Sequence, residues 1–268
     1  MGAGYAIRLI ILRETNIEAA GLYQAAWALG GLYVAFILQA MGADFYPRLT
    51  AVSKDNAECN RLVNEQAQVS LLLAAPGVIA TLTAAPIVIT LFYSAKFALA
   101  TNILRWICVG MALRVIAWPM GFIILAKGAR ALFLWIEIAA AVVHIGLAWL
   151  FISYAGPEGA GAAFCALYVW HGLLVYVIVR RVTDFRWSPA SLKLGVTFVG
   201  VMTIVFAAVY LLPFWTGTVI GTVAVGWSSV YSMHMLMDLL PESFGFARKL
   251  WFARAGVMSG ARHGGVTQ

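Results

Sequence analysis

The chain has 268 residues, 63% of them hydrophobic and 11% charged, with 18 Lys and Arg against 11 Asp and Glu for a net charge of +7. Ordinary globular domains hold about 45–50% apolar residues, so the composition excludes a water-soluble domain and describes an all-α, polytopic transmembrane helix bundle. The basic residues fall between apolar runs, where they report topology and lipid contact rather than nucleic-acid binding.

In chain order, MGAGYAIRLIILRET has no basic leader ahead of a long apolar core and does not read as a signal peptide. Within it Tyr5–Leu12 is too short to span a bilayer and reads as the tail of a helix or an interfacial one. Seven stretches have the length of a span: Gly21–Ala43, Val69–Tyr93, Thr101–Ala126, Leu132–Tyr154, Gly161–Val179, Leu194–Leu212 and Thr216–Met237. Gly21, Gly30 and Gly31, with Ala25, Ala26 and Ala28, permit close helix approach in the first. At its exit, Pro47 is expected to end or kink the helix. Arg48 beside it can meet a lipid phosphate or a substrate pyrophosphate, or serve as a plain anchor with Tyr46 at the interface.

The segment Leu99–Lys127 carries charge at three depths. At about 1.5 Å rise per residue, Arg105 and Lys127 lie roughly 33 Å apart, close to the hydrocarbon thickness of about 30 Å. Both can therefore snorkel to opposite interfaces. Arg114 falls about 13–14 Å in from Arg105, near the midplane, with Pro119 adding an expected kink nearby. A charge at that depth faces a polar cavity or a partner. In the next span Glu137 and His144 are seven residues apart and share one helix face, with His144 the better depth match for Arg114. Arg114, His144, Glu137 and Arg48 are the candidate substrate-path residues; for the first three, a helix-packing polar contact is the competing reading. His171 reads as a packing residue, and His234 and Asp238 as interfacial.

Charge bias sets the expected topology. Arg48, Lys54 and Arg61, then Lys127 and Arg130, then Arg180, Arg181, Arg186 and Lys193, then the tail's Arg248, Lys249, Arg254 and Arg262 alternate with poorly basic segments. The basic set is expected on the cytoplasmic side, with the C-terminus cytoplasmic and the N-terminus outside. The tail segment Phe246–Gly256 suits an interfacial helix.

Cys59, Cys108 and Cys165 form no CxxC and lie near no histidine pair, so neither a disulfide framework nor a metal site is expected. No two acidic residues are adjacent, which argues against a metal-dependent glycosyl- or prenyl-transferase. The short outer loops argue against a polymerase or ligase, and no repeated pore charges suggest a channel. A seven-helix receptor fits only the count of spans. No catalytic residue and no cofactor are expected.

Several strings carry a resemblance: AAGLYQAAWALGGLYVAFILQAMGADFYPRLTAVSKDN at Ala19–Asn56, NRLVNEQ at Asn60–Gln66, LRW and WPMGFIILAKG within Leu104–Gly128, and GAGAAFCALYVW at Gly159–Trp170. Together they resemble the eighth helix onward of Wzx-type O-antigen translocases, lipid-linked oligosaccharide flippases of the MATE-like exporter superfamily, from about Tyr5 to Trp187. The resemblance implies two six-helix lobes about a cleft, of which this sequence would hold the C-terminal one, lacking the first lobe and most of the seventh helix. It divides the chain into a partial helix and outer loop (1–20), a lobe bundle (21–182), an additional helix pair (183–240) and a basic tail (241–268). It further implies transport of a polyprenyl-pyrophosphate-linked oligosaccharide across the bacterial inner membrane by alternating access, with membrane lipids, a glycan polymerase and chain-length machinery as partners. A non-transporting fragment or assembly partner remains the alternative.

Overall fold

The computed structural model describes residues 2–239, and among these every regular element is helical. The basic tail and its expected interfacial helix lie outside the described residues. The order is α1 (Gly2–Glu14), α2 (Ile17–Ala51), α3 (Asn56–Thr83), α4 (Ala85–Phe92), a 3-10 turn (Ala95–Phe97), α5 (Ala100–Ala126), α6 (Arg130–Ala155), α7 (Glu158–Thr183), α8 (Pro189–Leu211) and α9 (Phe214–Leu239).

Six of these helices are long and apolar enough to cross a membrane: α2, α3, α5, α6, α7 and α8. The seventh expected span forms α9 over its whole length, but its glycines, serines and threonines leave it less apolar than the other six. The expected second span divides differently. Asp55 accepts from the Ala57 and Glu58 amides and starts α3 well before Val69. Pro86, lacking an amide proton, sits in the first turn of α4 and forces the break at Ala84. Pro47 does not end its helix: α2 runs through it to Ala51.

The bundle is built around α5, the most buried of the six, which packs on α2, α3 and α7. Its approach to α7 is close because α7 presents Gly161. A Cβ there would come within 2.8 Å of the Ile103 carbonyl oxygen and 2.9 Å of Trp106 Cβ. Gly30 serves the α2–α5 contact in the same way, where a Cβ would meet Ile107 at 2.6 Å, whereas Gly21 faces open space. On the other side α8 and α9 pack on each other and on α3, and α1 lies against α6 and α2.

Three basic segments meet at one end of this bundle. Lys127 Nζ donates to the Ser53 carbonyl and to Asn56 Oδ1, so it is tied to the α2–α3 turn rather than reaching freely into lipid. Asn64 donates to the Arg186 carbonyl at 3.0 Å and accepts from the Ser188 amide at 2.7 Å, which fixes the α7–α8 link to the same end. Ser188 then caps α8 by accepting from the Ser191 amide. Chain direction puts the α8–α9 turn at the opposite end. In a background without native cysteines, cysteines at Lys54 and at Thr216 should therefore react with impermeant maleimide from opposite sides of the membrane. Labelling of both from one side would contradict the bundle's placement across it.

Candidate functional site

Three helices line up polar and aromatic residues at helical spacing. On α5 Arg114 and Trp118 follow one stripe; on α6 Phe133, Glu137 and His144 do; on α7 Phe164, Tyr168 and His171 do. Because α7 packs on both α5 and α6, these stripes meet, and Tyr168 stands between two adjoining hollows. Arg114 lines both, its guanidinium carbon 5.9 Å from the centre of the Tyr168 ring, within the range of a cation–π contact.

The larger hollow, about 450 Å³, is closed by α1 and α2. Its wall holds Arg8, Arg114 and His144 with the aromatic rings of Tyr23, Trp27 and Phe164, and no carboxylate. Arg8 Nε and His144 Nε2 are buried and lack a hydrogen-bond partner. His144 is 7% exposed and its ring lies 5.8 Å from that of Phe164. The smaller hollow, about 190 Å³, holds Arg114, Glu137 and His171 among Trp118, Phe133 and Tyr168. Glu137 Oε1 and His171 Nε2 are 3.8 Å apart, an ion-pair distance too long for a direct hydrogen bond, and His171 Nδ1 is buried without a partner.

Of the four residues expected on a path, the structure brings together Arg114, His144 and Glu137, with Arg114 shared between the other two. Arg48 lines neither hollow; it is exposed and pairs with Asp44 at 3.2 Å. Two further polar residues line the hollows. His171, a packing residue by sequence position, faces Glu137. Arg8 lies on the short α1, and the signal for it in the sequence is an arginine inside an apolar run.

Arg105 is not the free interfacial anchor that its depth suggests. It is 9% exposed, donates to Asn102 Oδ1 at 3.1 Å, and lies within Coulombic reach of Glu158. Glu158, in the first turn of α7, also accepts from Trp106 Nε1 at 3.0 Å and from the Tyr210 hydroxyl at 2.7 Å. This polar cluster joins α5, α7 and α8 at the end away from the basic segments. A third hollow, about 440 Å³ between α3 and α8, is lined by apolar residues such as Leu71, Val196 and Val199, and its Gln68 and Ser191 bond each other at 2.9 Å. It presents no charged side chain, so of these three hollows the two around Arg114 are equipped for an ionic ligand.

Comparison with known proteins adds a fold and a set of relatives. A family profile described as "Polysaccharide biosynthesis protein" matches residues 2–102. The lipid III flippases of Escherichia coli (strain K12) and of Shigella flexneri are each 22% identical to the chain over 182 residues, covering 65% of this chain and 42% of theirs. A solved structure, the lipid II flippase MurJ in an inward closed conformation, superposes with a TM-score of 0.61 at 15% identity, over 87% of this chain and 52% of that one. The fold is that of about half a MurJ-like flippase. The chain spans about two-fifths of the length of the curated relatives it matches. The named relatives are transporters rather than enzymes.

The buried position of Arg105 has a measurable consequence. Arg105→Ala should lower thermal stability in detergent by about 1–3 kcal/mol, since it strips a buried charged cluster of a donor. Arg48→Ala, at an exposed pair, should change it by less than about 1 kcal/mol. Equal stability of the two variants would return Arg105 to the interface.

Proposed function

We infer that this chain forms one wall of a path that carries a polyprenyl-pyrophosphate-linked oligosaccharide across the bacterial inner membrane. The observation that carries this reading is the larger hollow, whose wall bears two arginines and no carboxylate inside an apolar bundle. Cations in low-dielectric surroundings are costly, and an anionic headgroup relieves the part of that cost that Glu137, within Coulombic reach of Arg114 from the smaller hollow, does not. Guanidinium groups suit phosphoryl oxygens because their donors form a planar fork. His144 adds a buried, unpartnered nitrogen, and the surrounding rings suit sugar faces. The flippase names of the relatives support a lipid-linked substrate, and an O-antigen-like surface glycan follows from the Wzx-type resemblance.

In this reading no bond is made or broken. Arg8, Arg114 and His144 hold the pyrophosphate while a facing lobe and this one alternate access to the two leaflets. The division into a lobe bundle, a helix pair and a basic tail, with a cytoplasmic C-terminus, fits that arrangement. A glycan polymerase and chain-length proteins would receive the product.

The test is export in a strain lacking its resident flippase, using the transporter that carries this sequence. Arg114→Ala and Arg8→Ala should each reduce surface glycan by about tenfold or more at normal membrane abundance, as expected for losing one charged contact of about 1.5–3 kcal/mol. Arg114→Lys should retain part of the activity, keeping charge without the fork. Wild-type export by Arg114→Ala would remove the proposed role, and loss of export only in step with loss of protein would assign both arginines to structure.

A further inference from the structure

The smaller hollow is chemically unlike its neighbour. It contains a carboxylate, so a second phosphate is repelled from it. Arg114 in the same wall opposes a metal or ammonium ion. What fits both is an uncharged ligand with many hydroxyls, attached to the anion held next door. The geometry points to the hollow formed by Trp118, Glu137, Tyr168 and His171 as a subsite for one monosaccharide, the sugar linked directly to the pyrophosphate; this rests on the functional reading above.

Four features support it. The volume, about 190 Å³ against about 450 Å³ for the arginine hollow, suits a single ring rather than an oligosaccharide. The two hollows share Arg114 and Tyr168, so a phosphoryl group on Arg114 has its next substituent at the mouth of the smaller one. Trp118 is held in place: its ring lies 4.3 Å from that of Phe122, and a Cβ on Gly42 of α2 would come to 3.1 Å from its Cη2. A fixed indole face carries the negative side of the ring quadrupole, on which the weakly positive C–H face of a pyranose stacks.

Polar groups complete the site. Glu137 and His171 stand 3.8 Å apart without a hydrogen bond between them, and His171 Nδ1 has no partner. A sugar hydroxyl can donate to the Glu137 carboxylate and accept from the imidazole, making bonds that the empty pair lacks. His171 is largely covered while Glu137 is half exposed, and a ligand without the hydroxyl leaves the imidazole nitrogen unsatisfied, which favours the hydroxylated one.

Two probes of equal charge test this. Both are pyrophosphate diesters of a short prenyl alcohol; one carries a hexose and the other a methyl group in its place. Calorimetric titration into the purified full chain in detergent micelles should show the hexose probe binding about tenfold tighter than the methyl probe. Glu137→Gln, which keeps size and shape, and Trp118→Ala should each bring that ratio to about one, while Trp118→Phe keeps an intermediate ratio. Arg114→Ala should weaken both probes alike. A ratio of about one in the wild type, or one unmoved by both substitutions, overturns the subsite while Arg114-dependent binding of the methyl probe leaves the functional reading standing. If neither probe binds the wild type, both fall.

Discussion

The cost of holding guanidinium groups inside an apolar bundle governs how this structure is organised. Arg8 and Arg114 reach one hollow from helices far apart in sequence, and its wall supplies no carboxylate to neutralise them. A charge half-buried in an apolar bundle with incomplete pairing is costly. Its retention at a site lined by aromatic rings makes sense where a ligand supplies the missing charge. The cation–π contact with Tyr168 and the Glu137 carboxylate within Coulombic reach stabilise Arg114 in part, and Arg114 still faces the larger hollow, whose wall holds no carboxylate.

The same constraint explains the contrast with Arg105. That arginine sits at the other end of α5 and has Glu158 nearby, itself satisfied by Trp106 and Tyr210. One helix thus carries a buried arginine, Arg105, and a half-buried one, Arg114, each with one carboxylate within Coulombic reach. Arg105 belongs to a polar cluster that joins three helices, and Arg114 opens onto two hollows. Close α5–α7 packing through Gly161 holds the two helices in register, so that the stripe bearing Arg114 meets the stripe bearing Tyr168 and His171.

Much of this was legible in the sequence. Apolar runs of spanning length gave the helical membrane class, and the seven-residue spacing of Glu137 and His144 placed them on one face. The depth of Arg114 singled it out. What the sequence could not supply was the identity of neighbours across helices. Depth alone placed Arg105 at an interface, because nothing local reveals that Glu158, on a later helix, would cover it. His171 looked like packing because its partner sits on another helix. Arg8 sits on a helix too short to span, so depth in a bilayer assigns it no place beside Arg114. The break before Pro86 and the passage of α2 through Pro47 show the same limit: proline marks a weak point, and tertiary packing decides whether the helix ends there.

The central claim is that the headgroup of a lipid-linked glycan occupies the hollow beside Arg8 and Arg114. Tyr5 lines that hollow and is 68% exposed, so a photoreactive benzophenone amino acid can replace it without filling the core. Tyr154, at 85% exposure near the end of α6, lines none of the hollows described and serves as the comparison position. The decisive measurement is irradiation of cells making the glycan, followed by detection of glycan covalently attached to the purified protein. The account predicts attachment from position 5 and little from position 154. Equal attachment at both, or attachment only at position 154, would contradict it.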